Sequence, residues 1–282
     1  MANYTAKDIS ELRELTGAGM MDVKKALDEA NGDKQKANEI LRVKGAKAAA
    51  KRGERETTEG LVASKIVGKK GYLIELNCET DFVAKSPDFI ALSEEILDAV
   101  VEADCGTLDA ALKAKTSSGT TVAAKIEDIA GTKLRENITL KGVTKIEGDI
   151  IGSYMHKKDP QLPPYVGVLV ALKGGTLEAA NRIATHLSGP LAINGALPYA
   201  TIADVPAEII ESETNIAREK NANKPAKIFE EKILPGSLNA YYKLNVLSEQ
   251  HFGLDDGQPT IKEILGDGKI VDFKGFLVGA AS

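Results

Sequence analysis

Few residues in this chain are spaced for chemistry, and the first result is a set of exclusions. No stretch fits G-x-x-x-x-G-K-[ST], so no loop is built to cradle nucleotide phosphates. His156, His186 and His251 are far apart, and Cys78 and Cys105 have no partner at metal-ligand spacing. No Gly-x-Ser-x-Gly elbow occurs. Cys78 falls on the inward face of an expected strand, which favours an inert core thiol over a nucleophile. One stretch is unusual. ELNCETDFVAK begins as a strand and then sets Asp81 beside Phe82 where the chain must turn. Turns normally take polar residues and large apolar side chains are normally hidden. On the residues alone, the simplest reading packs Phe82 under the following helix with Asp81 as its cap.

The elements around that corner follow from patterning. Thr5 caps a first helix with Asp8 three residues on, and Ile9, Leu12 and Leu15 fall on one face. Gly17-Ala18-Gly19 ends it. A second helix runs from Met20 to about Ala30, and Asp33 caps a third with Ala37, Ile40 and Leu41 inward. Adjacent methionines at the start of a helix, Met20 and Met21, cannot both face one small core. The segment GAKAAAKRGERETTEG reads as a helical tail and linker.

The middle of the chain repeats itself. LVASKIV and YLIELNC form a hairpin about GKKG, with Tyr72, Ile74, Leu76 and Cys78 on one face. Ser86-Pro87 then opens a helix through Phe89, Leu92, Ile96 and Val100. DIIGSYM and YVGVLVAL form a second hairpin, and Thr176 opens a helix through Ile183 and Leu187. Beyond Pro206, two sparsely apolar helical arms flank Asn221–Pro225, and KIVDFKGFLVG alternates as a last strand.

Composition narrows the class. The 282 residues are 43% hydrophobic, enough for a sizeable core, and acidic groups outnumber basic ones 41 to 36 for a net charge of −5. That balance gives no electrostatic reason to expect nucleic acid or an anionic membrane as the main partner. The basic run Lys44, Lys47, Lys51, Arg52 and Arg55 lacks interleaved aromatics and reads first as a solvated helix end. Two cysteines suit a reducing compartment. The start MANYTAKDISEL shows no signal peptide, and no apolar run approaches the roughly 20 residues of a membrane span. The expectation is a cytoplasmic protein.

Two stretches carry a resemblance. Leu12–Leu27, LRELTGAGMMDVKKAL, and Glu75–Lys85 resemble, in order and spacing, the two signatures of the bacterial and organellar elongation factor Ts family. The resemblance implies an α+β fold with a three-helix module of the ubiquitin-associated type, a duplicated hairpin-plus-helix core and a projecting antiparallel helical hairpin. The corresponding division is 1–55 for the helical module and linker, 56–140 and 141–203 for the N- and C-subdomains of the core, 204–233 for the antiparallel coiled-coil hairpin, and 234–282 for the C-terminal part of the core and a C-terminal module. It implies a guanine-nucleotide exchange factor, not an enzyme and without a cofactor, whose partner is elongation factor Tu in its GDP-bound and nucleotide-free states. Thr80, Asp81, Phe82 and Val83 would enter the partner near its Mg²⁺, reversing the local reading of Phe82. Arg13, Met20, Met21 and His156 would be partner contacts. The family commonly carries a glycine where this chain has Arg135, before Glu136-Asn137-Ile138, and the loop HKKDPQLPPY after β-type residues is long. Two other classes are the alternatives: an RNA- or ribosome-binding translation accessory protein using the basic run, and a hydrolase or transferase assembled from distant residues.

Overall fold

The computed structural model describes residues 3–53, 55–194, 198–253 and 259–280. Chain order is α1 (Ala6–Thr16), α2 (Met20–Glu29) and α3 (Lys34–Arg52), then the hairpin β1 (Glu59–Val67) and β2 (Lys70–Cys78). There follow α4 (Asp81–Ala84), α5 (Pro87–Glu102), α6 (Leu108–Lys113), α7 (Val122–Ile129) and a π turn, Ala130–Leu134. Strands β3 (Thr139–Glu147), β4 (Ile150–His156) and β5 (Val166–Lys173) precede α8 (Leu177–Asn194). The chain ends with α9 (Ala207–Lys220), α10 (Ala226–Ile228), a second π turn Phe229–Ile233, α11 (Leu234–Asn245), α12 (Ile261–Leu265) and β6 (Lys269–Leu277).

The expected α+β class is what the strands and helices form, and the repetition runs deeper than hairpin plus helix. Each half is an antiparallel sheet, β1-β2-β3 and β4-β5-β6, in which a third strand returns to pair with the second. Each has a register shift at the same place in its central strand, Glu75/Leu76 in β2 and Ala171/Leu172 in β5. The alternation of side chains dictates the layering. Leu73, Ile146, Ile151, Leu169 and Ala171 meet between the sheets. Tyr72, Ile74, Leu76 and Cys78 face outward onto Phe89, Leu92, Ile96 and Val100 of α5. Val166, Val168, Val170 and Leu172 do the same onto Ile183 and Leu187 of α8. Glycine permits close approach: a Cβ on Gly142 would sit 2.7 Å from the Phe276 ring. Strand β3 spans residue 140, so the first sheet reaches past that expected division.

The N-terminal helices differ from expectation in two ways. Leu15 is 65% exposed, because the inward stripe of α1 runs through Leu12 to Thr16. Thr16 takes that place by donating its hydroxyl to the Leu12 carbonyl at 2.6 Å. The third helix is also long, nineteen residues, and it crosses the π turn that follows α7. At the crossing Gly45 faces Gly131, and a Cβ on Gly131 would lie 2.5 Å from the Gly45 carbonyl oxygen. Arg42 adds an ion pair to Asp128 at 3.4 Å. The module is therefore seated on the first half of the core. The side chains of Lys47, Lys51 and Arg52 lie outside the described residues.

In the helical hairpin, α9 packs on α11, with Ala217 and Phe229 buried and Arg218 over the Phe229 ring. The second arm continues to Asn245, past the expected end at 233. Pro235-Gly236 looks like a stop, yet the wide π turn before it accommodates a proline that lacks an amide hydrogen and crowds the preceding turn.

The glycine crossing makes a prediction. Gly131→Val must push α3 away and should cost about 1–3 kcal/mol. A lowered Tm with faster amide exchange in α3 is the expected result. Unchanged values would mean that the module is not seated through this contact.

Candidate functional site

The corner after β2 is built by what surrounds it. A four-residue helix has no stability of its own. Thr80 caps it, its hydroxyl accepting from the Val83 amide at 3.4 Å, so the cap is Thr80 and not Asp81. The decisive partner is Glu136, in the loop entering β3. One carboxylate oxygen accepts the amides of Glu79 and Thr80, each at 3.0 Å, and the other accepts the Thr80 hydroxyl at 2.6 Å. The neighbouring Asn137 amide donates to Glu79 at 2.6 Å, and the Asn137 side chain donates to the Arg55 carbonyl at 2.7 Å. Arg55 completes the ring with an ion pair to Glu79 at 3.1 Å. Charge-assisted hydrogen bonds are short and stronger than neutral ones. This corner has several of them, sharing donors and acceptors.

Beneath, Ala84 is buried and Cys78 is fully buried, its thiol directed at the Thr80 carbonyl at 3.2 Å. Burial pushes the Cys78 thiol up to about 12, and the Glu136 charge adds to the effect. A thiol of that kind is protonated at neutral pH and is no nucleophile.

The exposed side is different. Phe82 is 72% exposed, contrary to the reading that tucks it under its helix. Asp81 pairs with Lys85 at 3.3 Å, and the same ammonium lies 4.4 Å from the Phe82 ring centroid. Hiding a phenylalanine is worth roughly 1.5–3 kcal/mol, which this chain forgoes. Val83 alone of the four leans on the core.

The other expected contacts occupy three places. Met20 and Met21 are 57% and 64% exposed at the start of α2, whose inward positions are Val23, Ala26 and Leu27. Both point away from that core. Arg13 is exposed in the last turn of α1. His156 ends β4 in the other sheet, exposed, with Nδ1 3.0 Å from the Tyr154 hydroxyl and its ring against Tyr165. The long loop after it is tied back where the Tyr165 amide meets the His156 carbonyl and the Val62 amide meets the Pro164 carbonyl.

Sequence reasoning missed Glu136. The signal lay in strand register. With Asn77 opposite Thr139, the residues before β3 must run beside those after β2. Arg135, where the resemblance leads to a glycine, adopts φ +59°, the left-handed region that glycine enters freely. Among the described residues no His, Cys, Asp or Glu group could hold a metal ion, and no helix is long and apolar enough to cross a membrane. A hollow of about 360 Å³ lies against β6, and none of the corner's residues line it.

Comparison with known proteins decides the family. The sequence model described as Elongation factor TS matches residues 79–280. The chain is 45% identical over 270 residues to elongation factor Ts of Paenarthrobacter aurescens, covering 94% of each. It is 44% identical to that of Kocuria rhizophila over 285 residues, 99% of this chain and all of the relative. The chain belongs to the elongation factor Ts family. Membership gives it a role in translation elongation, and the corner above is then the part of an elongation factor Ts that most needs explaining.

The ring of hydrogen bonds predicts how Cys78 responds. In the intact protein at pH 8 a thiol reagent should modify Cys78 only through rare opening. Glu136→Ala, which leaves two amides without their acceptor, should speed that reaction about tenfold or more, read in a Cys105→Ser background. An unaltered rate would show that Glu136 does not hold the corner closed.

Proposed function

We propose that the chain is a guanine-nucleotide exchange factor for elongation factor Tu, acting on the GDP-bound form and retaining the nucleotide-free form until GTP enters. The observation that carries this reading is Phe82, a large ring held 72% exposed on a turn whose backbone is hydrogen-bonded on the other side. In this proposal the ring enters an apolar crevice of the partner beside its Mg²⁺. Asp81, at the first position of the same turn, disturbs the polar network that completes the ion's coordination. Mg²⁺ tolerates little departure from octahedral geometry, so a small displacement weakens ion and diphosphate together. Thr80 and Val83 fix the turn. The chain performs no covalent chemistry and holds no nucleotide of its own.

Magnitudes assign the remaining residues a part. Accelerating release about a thousandfold requires about 4 kcal/mol off the barrier. Burying one phenylalanine supplies roughly 1.5–3 kcal/mol. The remainder must come from contacts that favour the nucleotide-loosened state, because a ligand shifts an equilibrium only by its differential affinity. Met20 and Met21, exposed and adaptable, supply apolar area, Arg13 supplies charge, and His156 extends the contact onto the second sheet. By linkage, GDP and this protein weaken each other's binding equally.

Stopped-flow release of a fluorescent GDP from elongation factor Tu tests this. The intact protein at saturating concentration should accelerate release by orders of magnitude, and Phe82→Ala should lose about ten- to a hundredfold of that, one phenylalanine's worth of burial. Asp81→Asn separates charge from shape by whether the loss is large or small. Release no faster than without the protein would overturn the proposal, and salt-dependent RNA binding would then be measured for the accessory-protein reading.

A further inference from the structure

Arg135 reaches the turn that carries one exposed apolar feature and precedes in the chain the residue that holds the other. Its backbone caps the π turn, the amide donating to the Ala130 carbonyl at 3.0 Å, with φ +59° and ψ 24°. Among the described residues only Asn31 and Asp104 share a positive φ without being glycine. Asparagine and aspartate tolerate the left-handed region, whereas arginine gains nothing from it. A glycine would make the same cap at lower conformational cost, so what this position gains is the side chain.

That side chain crosses to the N-terminal module. The guanidinium lies 3.5 Å from the Asp22 carboxylate and fills the space where a Cβ on Gly19 would meet it at 3.3 Å. Gly19 has an ordinary extended backbone, φ −64° and ψ 149°, and a Cβ there would require the guanidinium and the Asp22 carboxylate to give by a few tenths of an ångström. The contact seats a cation at the N-terminus of α2, where the helix dipole disfavours it and Asp22 compensates. Met20 and Met21 occupy the same turn. On the other side, the next residue in the chain is Glu136, whose carboxylate holds Thr80. One dipeptide, Arg135-Glu136, therefore grips the turn that displays the methionines and the turn that displays Phe82.

We propose that Arg135 is a positioning residue that sets the Met20–Met21 face in fixed register with the Phe82 corner, so that both meet one rigid partner surface together. The seating of α3 on Gly131 keeps the module docked without it. What Arg135 adds is angle rather than attachment. The proposal rests on the exchange reading for its consequence, but not for its geometry.

The geometry is tested in the free protein. Spin labels at Met21→Cys and Phe82→Cys report the distance distribution between the two features, with the buried Cys78 and Cys105 left unlabelled. Arg135→Gly, which removes the side chain and relaxes the backbone, should leave the Tm unchanged or raised and broaden that distribution. Arg135→Lys should broaden it less. An equally narrow distribution in Arg135→Gly would overturn the proposal whether or not the protein exchanges nucleotide. The consequence is read in GDP release from elongation factor Tu. With Arg135 present, Met21→Ala and Phe82→Ala should combine non-additively. With Arg135→Gly they should combine as independent changes, and the concentration for half-maximal release should rise about two- to fivefold, the scale of one exposed ion pair. Unchanged non-additivity would also overturn it. An intact protein that fails to accelerate release would sink the exchange reading alone, leaving the label distances to decide Arg135.

Discussion

The carboxylate of Glu136 is the interaction on which the display of Phe82 depends. A single turn of helix cannot hold itself, and an exposed aromatic ring draws no stability from its own burial. Something else must fix the backbone. Two amides and a hydroxyl converge on one charged group at 2.6–3.0 Å, and that group is itself set by the start of β3. The turn is thus ordered from behind, leaving its other face free for a partner. Ordering a contact before binding reduces the entropy lost on association, which is the physical advantage of building it so.

The rest of the molecule makes that convergence possible. Glu136 reaches Thr80 because β3 pairs with β2 in a fixed register, and the register is fixed because both faces of β2 are buried. One face is closed by α5 and the other by the second sheet. A slip of one residue would exchange the two apolar faces and carry Glu136 away from the corner. The second sheet has the same hairpin, outer helix and returning strand, and it ends its own first strand in His156 and its aromatic neighbours. Duplication in this chain supplies both halves of a rigid frame, with the Thr80–Val83 corner just beyond the end of β2 and His156 at the end of β4.

Much of this was legible in the sequence, and the failures have reasons. The hairpins, α5, α8 and the capped α1 follow from alternation, helical spacing and the Thr5–Asp8 box, because local patterning and burial agree there. Leu15 misled because three-residue spacing does not distinguish it from Thr16, whose hydroxyl satisfies itself on the helix backbone. The second hairpin arm misled because Pro235-Gly236 reads as a terminator, and nothing in composition announces a π turn. Phe82 shows the limit most clearly. Patterning hides large rings, and only the signature around it argued for exposure. The part of Glu136 could not be found without the pairing of β2 with β3, since Thr80 lies 56 residues away in sequence, and Arg135 stood out only as a departure because its partner Asp22 belongs to the N-terminal module.

The central claim is that the corner is already formed before any partner arrives. Amide hydrogen exchange on the free, intact protein tests it most directly at Glu79 and Thr80. The account predicts protection close to that of the neighbouring β2 amides, because both N–H groups are held by Glu136. Exchange at the rate of an open loop would contradict it, and would mean that the turn takes shape only on the partner.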